Sequence, residues 1–462
     1  MKKAVEAPRG VETLEEAEAW FAARRIEDIE CLAPDLAGVA RGKMMPTKKF
    51  LHGTAMALPA SIFMQTISGE YPDAYGEDIM DPTDGDLVFE PDLSTLTVVP
   101  WESDPTAQMI HDAYYRDGRP VEIAPRQVLR RILAQFERRG WQPVVAPEIE
   151  FFLVKPNTDP DYPLEPPIGR SGRPESARQS YSISAVNEFD ELFDDIYDYS
   201  EAQGLEIDTL IHEEGAAQME INLRHGEAIA LADQVFMFKR TIREAALKHQ
   251  MYATFMAKPM SQQPGSAMHI HQSVIDMESG GNVFSGPEGE PTEAFFAFIA
   301  GQQRYLPAVM CMLAPYVNSY RRLTRSPNAI AAPINVHWGY DNRTVGLRVP
   351  HSGPAARRVE NRIPSSDANP YLAIAASLAC GLLGVENGLT PDEPFAKSGR
   401  EEPFGLPRGL LEAVAAFEQC EELVDLFGAK FVETYRAVKQ AEFETFMNVI
   451  SPWEREYLLL NV

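Results

Sequence analysis

Four short segments of this sequence place polar or charged residues at alternate positions, separated by apolar ones. They are residues 147–151 (PEIEF), 218–222 (QMEIN), 268–271 (MHIH) and 359–362 (VENR). Because alternate residues of a β-strand face the same side, each segment predicts a strand with one apolar and one polar face. A buried carboxylate needs a partner, and a hard divalent cation suits Glu together with His.

Each segment has a simpler interpretation when it is taken alone. A Glu-x-Glu pair is more often a solvated strand face than a metal site, and a single His-x-His pair is also more often structural. Four such segments in one chain favour a metal site, but they specify neither the metal nor the reaction. The sequence has no P-loop, since residues 38–43 (GVARGK) are one residue short and lack the final Ser or Thr. It also has no HExxH, and no GxGxxG that opens a helix.

A second feature is the density of arginines between residues 321 and 362. The eight are Arg321, Arg322, Arg325, Arg343, Arg348, Arg357, Arg358 and Arg362. The planar guanidinium group suits carboxylate and phosphate, so the region could bind an anionic substrate. The alternative is a set of salt bridges with the acidic surface of the chain.

Composition excludes several classes of function. The chain has 462 residues and a formal net charge of −26, which disfavours binding to nucleic acid or to anionic membranes. Its four cysteines are far apart and form no CxxC pair, which argues against a thiolate zinc site and fits a reducing compartment. The N-terminus does not resemble a secretory signal, and the longest weakly polar run, 372–385, is too short to span a membrane. We expect a cytoplasmic protein.

The hydrophobic periodicity predicts a small α+β region followed by a larger one, with a boundary at the turn-rich residues 115–120. Helices are predicted over residues 14–25, 125–139, 187–203, 228–249, 293–313, 370–386 and 412–448. Strands are predicted over residues 26–32, 38–45, 93–99 and 144–154. The remainder of 59–105, and residues 155–178, predict loops.

Several longer strings resemble the glutamine synthetase superfamily. They are residues 147–152 (PEIEFF), 212–220 (HEEGAAQME), 258–259 (KP), 265–271 (GSAMHIH), 318–323 (NSYRRL), 342–350 (NRTVGLRVP), 358–362 (RVENR) and 367–371 (DANPY). They occur in the order of the family and extend the resemblance over about residues 30 to 460. As a set they are highly specific.

The resemblance implies an α+β fold with two domains. A small N-terminal β-grasp domain would cover residues 1–118, and a large catalytic domain, a curved antiparallel sheet with helices, would cover residues 119–462. The resemblance also implies a homo-oligomer whose active sites lie between subunits, commonly a dodecamer of two stacked hexameric rings. The expected activity is that of an ADP-forming carbon–nitrogen ligase.

The resemblance also implies roles for particular residues. Glu150, Glu213 and Glu220 match ligands of one divalent metal, and Glu148, His269 and Glu360 match ligands of another. Gly265, Arg322 and Arg362 match positions that hold glutamate, and Arg322 and Arg343 are the expected catalytic residues. The positions around the ATP phosphates are His271, Ser273, Arg343, Arg348 and Arg358. Two to three Mg²⁺ or Mn²⁺ ions per site, with ATP as co-substrate, would support phosphorylation of the glutamate side chain, and residues 323–333 suit a flap that excludes water.

Departures from the family pattern concern the nitrogen donor. Authentic glutamine synthetases carry an acid before an Ala-Pro pair in the flap, where this chain has Ala331, and another in the small domain, where residues 58–69 contain none. Pro264, Ala355 and Phe404 also differ from the family. The sequence most resembles the γ-glutamylamine synthetase branch, including the γ-glutamylpolyamine and γ-glutamylmonoamine ligases, which predicts an organic amine and a role in amine catabolism or detoxification. Two alternatives stay open: an ammonia-dependent glutamine synthetase, and a non-catalytic regulatory or structural oligomer.

Overall fold

Two β-sheets organise the chain, the first within residues 28–114 and the second within residues 141–361. In this computed structural model, described over residues 6–72, 83–176, 178–325 and 332–462, the first sheet has six strands. They are β1 (Asp28–Pro34), β2 (Ala40–Pro46), β3 (Met56–Pro59), β4 (Asp86–Pro91), β5 (Thr97–Val98) and β6 (Thr106–Tyr114). The order is β2-β1-β6-β4-β3, with β5 paired to β6 and with β1 parallel to β6. Two helices accompany the sheet, α1 (Leu14–Arg24) and α2 (Thr47–His52).

The second sheet has nine strands within the described residues. They are β7 (Trp141–Val154), β8 (Ile207–His212), β9 (Gln218–Leu223), β10 (Gly226–Glu227), β11 (Tyr252–Thr254), β12 (Met268–Asp276), β13 (Trp338–Tyr340), β14 (Leu347–Val349) and β15 (Val359–Asn361). Their order is β13-β14-β15-β12-β7-β9-β8, with β10 and β11 also paired to β7. Every pair is antiparallel except β13–β14. The long central β7 therefore lies between β9, which carries the predicted ligand Glu220, and β12, which carries His269, while Glu360 lies on β15 beyond β12.

Helices pack around this second sheet. They are α3 (Pro125–Glu137), α4 (Ile183–Val186), α5 (Asp190–Gln203), α6 (Ala228–Lys248), α7 (Glu293–Tyr305), α8 (Met310–Leu313), α9 (Pro370–Glu386), α10 (Leu410–Gln419), α11 (Glu421–Phe427), α12 (Ala429–Met447) and α13 (Pro452–Leu458). Helix α9 is buried from Pro370 to Gly384. It approaches α7 so closely that a Cβ on Gly384 would lie 2.1 Å from the carbonyl oxygen of Ala297. Within the described ranges, no helix is long and apolar enough to cross a membrane.

The predicted α+β class is confirmed, but four sequence predictions were wrong in detail. The strand predicted over 93–99 is a 3₁₀ turn, Leu93–Thr95, followed by the two-residue β5, because the Asp92 carboxylate accepts a hydrogen bond from the Ser94 amide and starts the turn. The loop predicted before it contains β4. The single helix predicted over 412–448 is three helices, broken at Cys420 and at Gly428, where φ is +84°. The helix predicted over 293–313 is interrupted at 306–309 by a 3₁₀ turn that contains Pro307.

Candidate active site

The polar face of the second sheet is centred on β7, where Glu148 and Glu150 project to the same side. Strand β12 places His269 directly opposite Glu148, and β9 places Glu220 directly opposite Glu150. Because opposite residues of an antiparallel pair point to the same face, these four side chains converge over the middle of the sheet. The local alternation seen in the sequence therefore becomes one continuous polar surface.

The same surface extends across β12, β15 and β14. Glu360 lies opposite His271 on one side and opposite Arg348 on the other. The Arg358 Nε–H donates to His271 Nδ1 at 3.1 Å, so His271 Nε2 carries the ring proton and donates to Glu148 Oε1 at 2.8 Å. His271 is thus a neutral bridge between an arginine and a carboxylate.

Two groups of side chains on this face could hold a cation. One is Glu148, His269 and Glu360, and the other is Glu150, Glu220 and His269; within each group the possible ligand atoms lie within 4.8 Å of one another. The first group is the complete predicted set for one metal. Of the other predicted set, Glu213 lies outside the second group, although it lines the same cavity as Glu150 and Glu220.

Burial gives these carboxylates very different proton affinities. It raises the pKa of Glu150 to about 8, with a further contribution from the charge of Glu213, and it raises the pKa of Glu220 well above the ordinary value. Burial also acts on Glu148, but hydrogen bonds from the two histidines outweigh it and hold the pKa of that carboxyl below its usual range. Burial is likewise outweighed at Glu360, where the nearby Arg362 guanidinium lowers the pKa to about 2.

The donor set fits divalent cations. Carboxylate oxygens are crowded here with one imidazole nitrogen in a mostly buried site. Burial first, and repulsion from neighbouring carboxylates second, raise the pKa values of Glu150, Glu213 and Glu220. A divalent cation would favour the ionised form of all three carboxylates. It would also supply charge neutralisation to any phosphate in the cavity.

This charge balance predicts a metal-linked pH dependence of stability. The pKa of Glu150 rises from 4.5 to about 8, so between these values the folded chain holds a proton that the unfolded chain releases. Stability from this group is complete below pH 4.5 and is lost as the pH rises through about 8. Because the cation favours the ionised carboxylate, the increase in Tm that Mg²⁺ causes relative to EDTA should grow from pH 6.5 to 8.

Thermal unfolding with Mg²⁺ and with EDTA across this range would measure the effect. Comparing the two conditions at each pH removes titrations that do not depend on the metal. Glu150→Gln is the matched variant, because the glutamine side chain cannot ionise. In this variant the increase in Tm caused by Mg²⁺ should depend less on pH. An Mg²⁺ effect that is the same at every pH would contradict the assignment of these carboxylates to a cation site.

An anion-binding region adjoins the carboxylates. Arg322 is buried and donates to the carbonyl oxygens of Ile363 and Arg362 at 2.8 and 2.9 Å, which fixes its guanidinium group at the cavity wall. Arg362 donates to Glu360, while its Nε–H is buried and has no hydrogen-bond partner in the described part of the chain. Gly265 lies beside them, where a Cβ would stand 2.6 Å from Arg322 Cγ. These residues suit a carboxylate-bearing substrate that approaches closely.

Ten predicted residues line one cavity of about 230 Å³: Glu148, Glu150, Glu213, Glu220, Gly265, His269, Arg322, Arg343, Arg348 and Arg362. Arg348 is held by Glu360 at 2.7 Å and by Asp341 at 3.0 Å. Arg343 makes no ion pair or hydrogen bond with any described residue, so it is available to a ligand. The predicted residues His271, Ser273, Arg358 and Glu360 do not line the cavity.

Comparison with known proteins agrees with this geometry. The family described as glutamine synthetase, catalytic domain, matches residues 122–458. The chain belongs to the glutamine synthetase family. It is 36% identical over 445 residues to gamma-glutamylputrescine synthetase PuuA of Escherichia coli (strain K12), covering 94% of this chain and 92% of PuuA. It is 34% identical over 439 residues to glutamate–isopropylamine ligase of Pseudomonas sp, covering 93% and 94% of the two chains.

Solved structures agree over the whole fold. Ligand-free GmaS superimposes with a TM-score of 0.80 at 28% identity, covering 96% of this chain and 99% of that chain. GmaS in complex with ADP gives a TM-score of 0.78 at 28% identity, covering 96% and 98%. As a member of the glutamine synthetase family the chain is a carbon–nitrogen ligase, and the family uses ATP and divalent metal ions. The domain boundary at residues 118/119 stays a prediction.

Four polar residues that line this cavity were not among the predicted site residues: Tyr181, Glu214, Gln218 and Asn222. The Gln218 amide nitrogen reaches Glu150 Oε2 at 3.2 Å and the Gly265 carbonyl oxygen at 3.0 Å, so it ties a metal-site carboxylate to the glycine. Asn222 donates to Glu220 Oε1 at 3.1 Å. Both lie in the alternating segment 218–222, and that alternation was the available signal. Nothing local marks Tyr181, which lies just after the predicted loop.

The predicted flap, residues 323–333, is described only at its ends. Residues 326–331, which include Ala331, lie outside the described residues. At one end the Arg325 guanidinium donates to the carbonyl oxygen of Glu402, and at the other end Ala332 lines the cavity. The flap therefore stays a prediction from the sequence.

Proposed function

We propose that this chain joins the γ-carboxylate of L-glutamate to an organic amine, with conversion of ATP to ADP and phosphate. The main observation in support is that carboxylates suited to a cation and arginines suited to an anion line one cavity of about 230 Å³. A carboxylate is a poor electrophile, since its leaving group would be oxide. A site that gathers opposite charges around a carboxylate and a phosphate addresses this difficulty.

The reaction takes two steps. A γ-carboxylate oxygen attacks the terminal phosphorus of ATP, the bond to the bridging oxygen breaks, and γ-glutamyl phosphate and ADP form. The lone pair of the amine then attacks the acyl carbon, the C–O bond to phosphate breaks, and the nitrogen loses a proton. Two to three Mg²⁺ or Mn²⁺ ions, held by the six predicted ligands Glu148, Glu150, Glu213, Glu220, His269 and Glu360, would supply charge neutralisation when bound.

The arginines divide between the two substrates. Arg322 and Arg362 lie beside Gly265 and would hold the carboxylates of glutamate, with the unpaired Nε–H of Arg362 as a free donor. Arg343 and Arg348 line the same cavity and would offset the charge of the transferred phosphate. Arg358, together with the predicted residues His271 and Ser273, lies outside the cavity lining and would reach the more distant phosphates of ATP.

The nature of the nitrogen donor follows from missing carboxylates. Residues 58–69, where authentic glutamine synthetases carry an acid, contain none, and Ala331 replaces the other. Fewer carboxylates would weaken the selection of a small cation and leave room for an organic substituent. Two relatives that match nearly the whole chain are named for organic amines, putrescine and isopropylamine. These observations together support an amine over ammonia.

An oligomeric ring is part of the proposal. The C-terminal segment exposes many large apolar side chains: Phe446, Met447, Val449, Ile450, Trp453, Tyr457, Leu458, Leu459, Leu460 and Val462. A contiguous apolar surface of this kind is typical of a protein interface. It supports assembly with further copies of the chain, in keeping with active sites between subunits of two stacked hexameric rings.

Phosphate release with ATP, Mg²⁺ and glutamate tests the proposal, with ammonia compared against ethylamine, isopropylamine, ethanolamine, putrescine and benzylamine. We expect kcat/KM for one amine class to exceed that for ammonia by roughly tenfold or more, since a pocket built for one substituent discriminates by that much. Product mass should show the γ-glutamylamide. Ala331→Glu, which restores the acid found in glutamine synthetases, should reduce the ratio of kcat/KM for the amine to kcat/KM for ammonia. A preference of the unaltered protein for ammonia would refute the amine assignment, and no turnover with any nitrogen donor would refute the ligase itself.

A further inference from the structure

A second cavity, of about 460 Å³, lies apart from the active site and shares none of its lining residues. It is formed by the turn between β1 and β2, by one face of α6 and by β11 with the residues that follow it. Its lining is largely apolar and includes Val39, Phe236, Phe255, Met256 and Tyr316. A volume of this size suits a small organic molecule.

The charged residues of this cavity leave positive charge unbalanced. Arg240 is paired with Glu30 at 2.7 Å. Lys239 is buried and donates only to backbone carbonyl oxygens, those of Ser366 at 2.5 Å and Ala368 at 3.1 Å, with no carboxylate in ion-pair range among the described residues. Burial, together with the nearby charge of Arg243, outweighs the charge of Asp367 and lowers the pKa of Lys239 to about 7.

Arg243 repeats this pattern one helical turn further along α6. Its guanidinium group lies 4.9 Å from the centre of the Phe255 ring and makes no ion pair or hydrogen bond with any described residue. The one carboxylate in the lining, Asp367, accepts from the Ser319 hydroxyl at 2.8 Å and forms no ion pair with Lys239 or Arg243 in the described part of the chain. Burial raises its pKa to about 6, so it is mostly ionised at neutral pH and balances one of the two cations from a distance. In a chain of net charge −26, a lining that, with Arg240 paired to Glu30, still holds one cation more than it has carboxylates, with Arg243 in contact with none, needs an explanation.

The geometry points to a binding site for a small organic anion in this cavity. A carboxylate or phosphate group would meet Lys239 and Arg243, and an apolar body would pack against Phe236 and Phe255. The cations and the apolar walls of the cavity together favour a ligand that has both a charged group and an apolar body. An inorganic ion would leave the apolar walls unfilled, and a neutral apolar molecule would leave the cations unpaired. The proposal does not depend on the identity of the nitrogen donor at the active site.

Calorimetric titration of the full-length, assembled protein tests the site, with hexanoate and phenylacetate as probes and inorganic phosphate for comparison. Saturating glutamate, ADP and Mg²⁺ are present, so that the arginines of the active site are occupied. We expect one binding site per chain, and affinity for hexanoate or phenylacetate roughly tenfold or more above that for phosphate.

Arg243→Leu is the decisive variant, because Lys239 also holds two backbone carbonyls and its replacement could disturb folding. Loss of one charge-assisted contact should weaken probe binding roughly tenfold or more. Lys248→Met, also on α6 but exposed and outside the cavity, is the matched control and should bind like the unaltered protein. No binding up to ~20 mM, equal affinity for phosphate, or binding unchanged by Arg243→Leu would each overturn the proposal.

Discussion

Glu360→Gln is expected to remove nearly all ligase activity while the chain remains folded. Glu360 is fully buried, and its two oxygens accept from different arginines, Arg348 at 2.7 Å and Arg362. It also belongs with Glu148 and His269 to the first cation-binding group. Glutamine keeps the shape of the side chain but removes the negative charge and turns an N–H group toward a guanidinium group.

This substitution should impair cation binding and the positioning of two arginines at the same time. The cation loses an anionic ligand, and Arg348 and Arg362 both lose the carboxylate that orients them toward the cavity. If the cation contributes several kcal/mol of transition-state stabilisation, kcat/KM should fall by at least about a thousandfold. The affinity for Mg²⁺ or Mn²⁺, measured by calorimetry on the same protein, should also fall.

Glu206→Gln is the control for Glu360→Gln. Glu206 forms an ion pair with Arg224 in which both side chains are more than half exposed, so its loss should leave activity and metal affinity unchanged. If Glu360→Gln kept activity within tenfold of the unaltered protein while folded, Glu360 would only anchor arginines, and its assignment as a metal ligand would be wrong.

The sequence indicated which side chains share a polar face at this site for a local reason. Alternation along a strand depends only on backbone geometry. The spacing of Glu148 and Glu150 therefore predicts a polar strand face even when the neighbouring strands are not known. The same holds for His269 with His271 and for the pair around Asn361. The resemblance to glutamine synthetases then indicated which of these faces belong together, and the pairing of Glu148 with His269 agrees.

Features that depend on register and on distant contacts could not be read from the sequence. Gln218 lines the cavity because the fold brings its amide to both Glu150 and Gly265, which are 68 and 47 residues away along the chain. His269 belongs to both groups that could hold a cation, because the pairing of β12 with β7 places it near Glu148 and Glu150. Glu213 belongs to neither group. The helix breaks at Cys420 and Gly428 were equally hidden, since apolar periodicity continues across them.

Arg126→Met is expected to cause the largest loss of stability of any single substitution considered for this chain. Arg126, on α3, is only 2% exposed and binds three carboxylates. They are Asp92, which follows β4, at 2.6 Å, Asp112 of β6 at 2.5 Å, and Asp233 of α6, which it contacts twice at 2.9 Å. The arginine therefore joins the first sheet to the helices that cover the second.

Removal of this guanidinium group would leave buried carboxylates without their cation. The Asp112 and Asp233 side chains are only 8% and 3% exposed, so water cannot replace the lost contacts without opening the junction. Breaking a buried ion pair by removing one partner costs about 3–5 kcal/mol. Methionine adds apolar contact but no charge, and the loss should therefore be of that order or larger.

Arg130→Met is the matched control for this prediction. Arg130 lies one turn further along α3 and contacts two of the same carboxylates, Asp92 at 3.2 Å and Asp112 at 3.0 Å, but its side chain is 39% exposed. Arg126 would still neutralise those carboxylates, so the control should cost less than about 1 kcal/mol. Pulse proteolysis in urea would measure the free energy of unfolding of both variants and of the unaltered protein. Equal losses in the two variants would mean that the junction is held by its apolar contacts, and that the buried arginine contributes no more than a surface one.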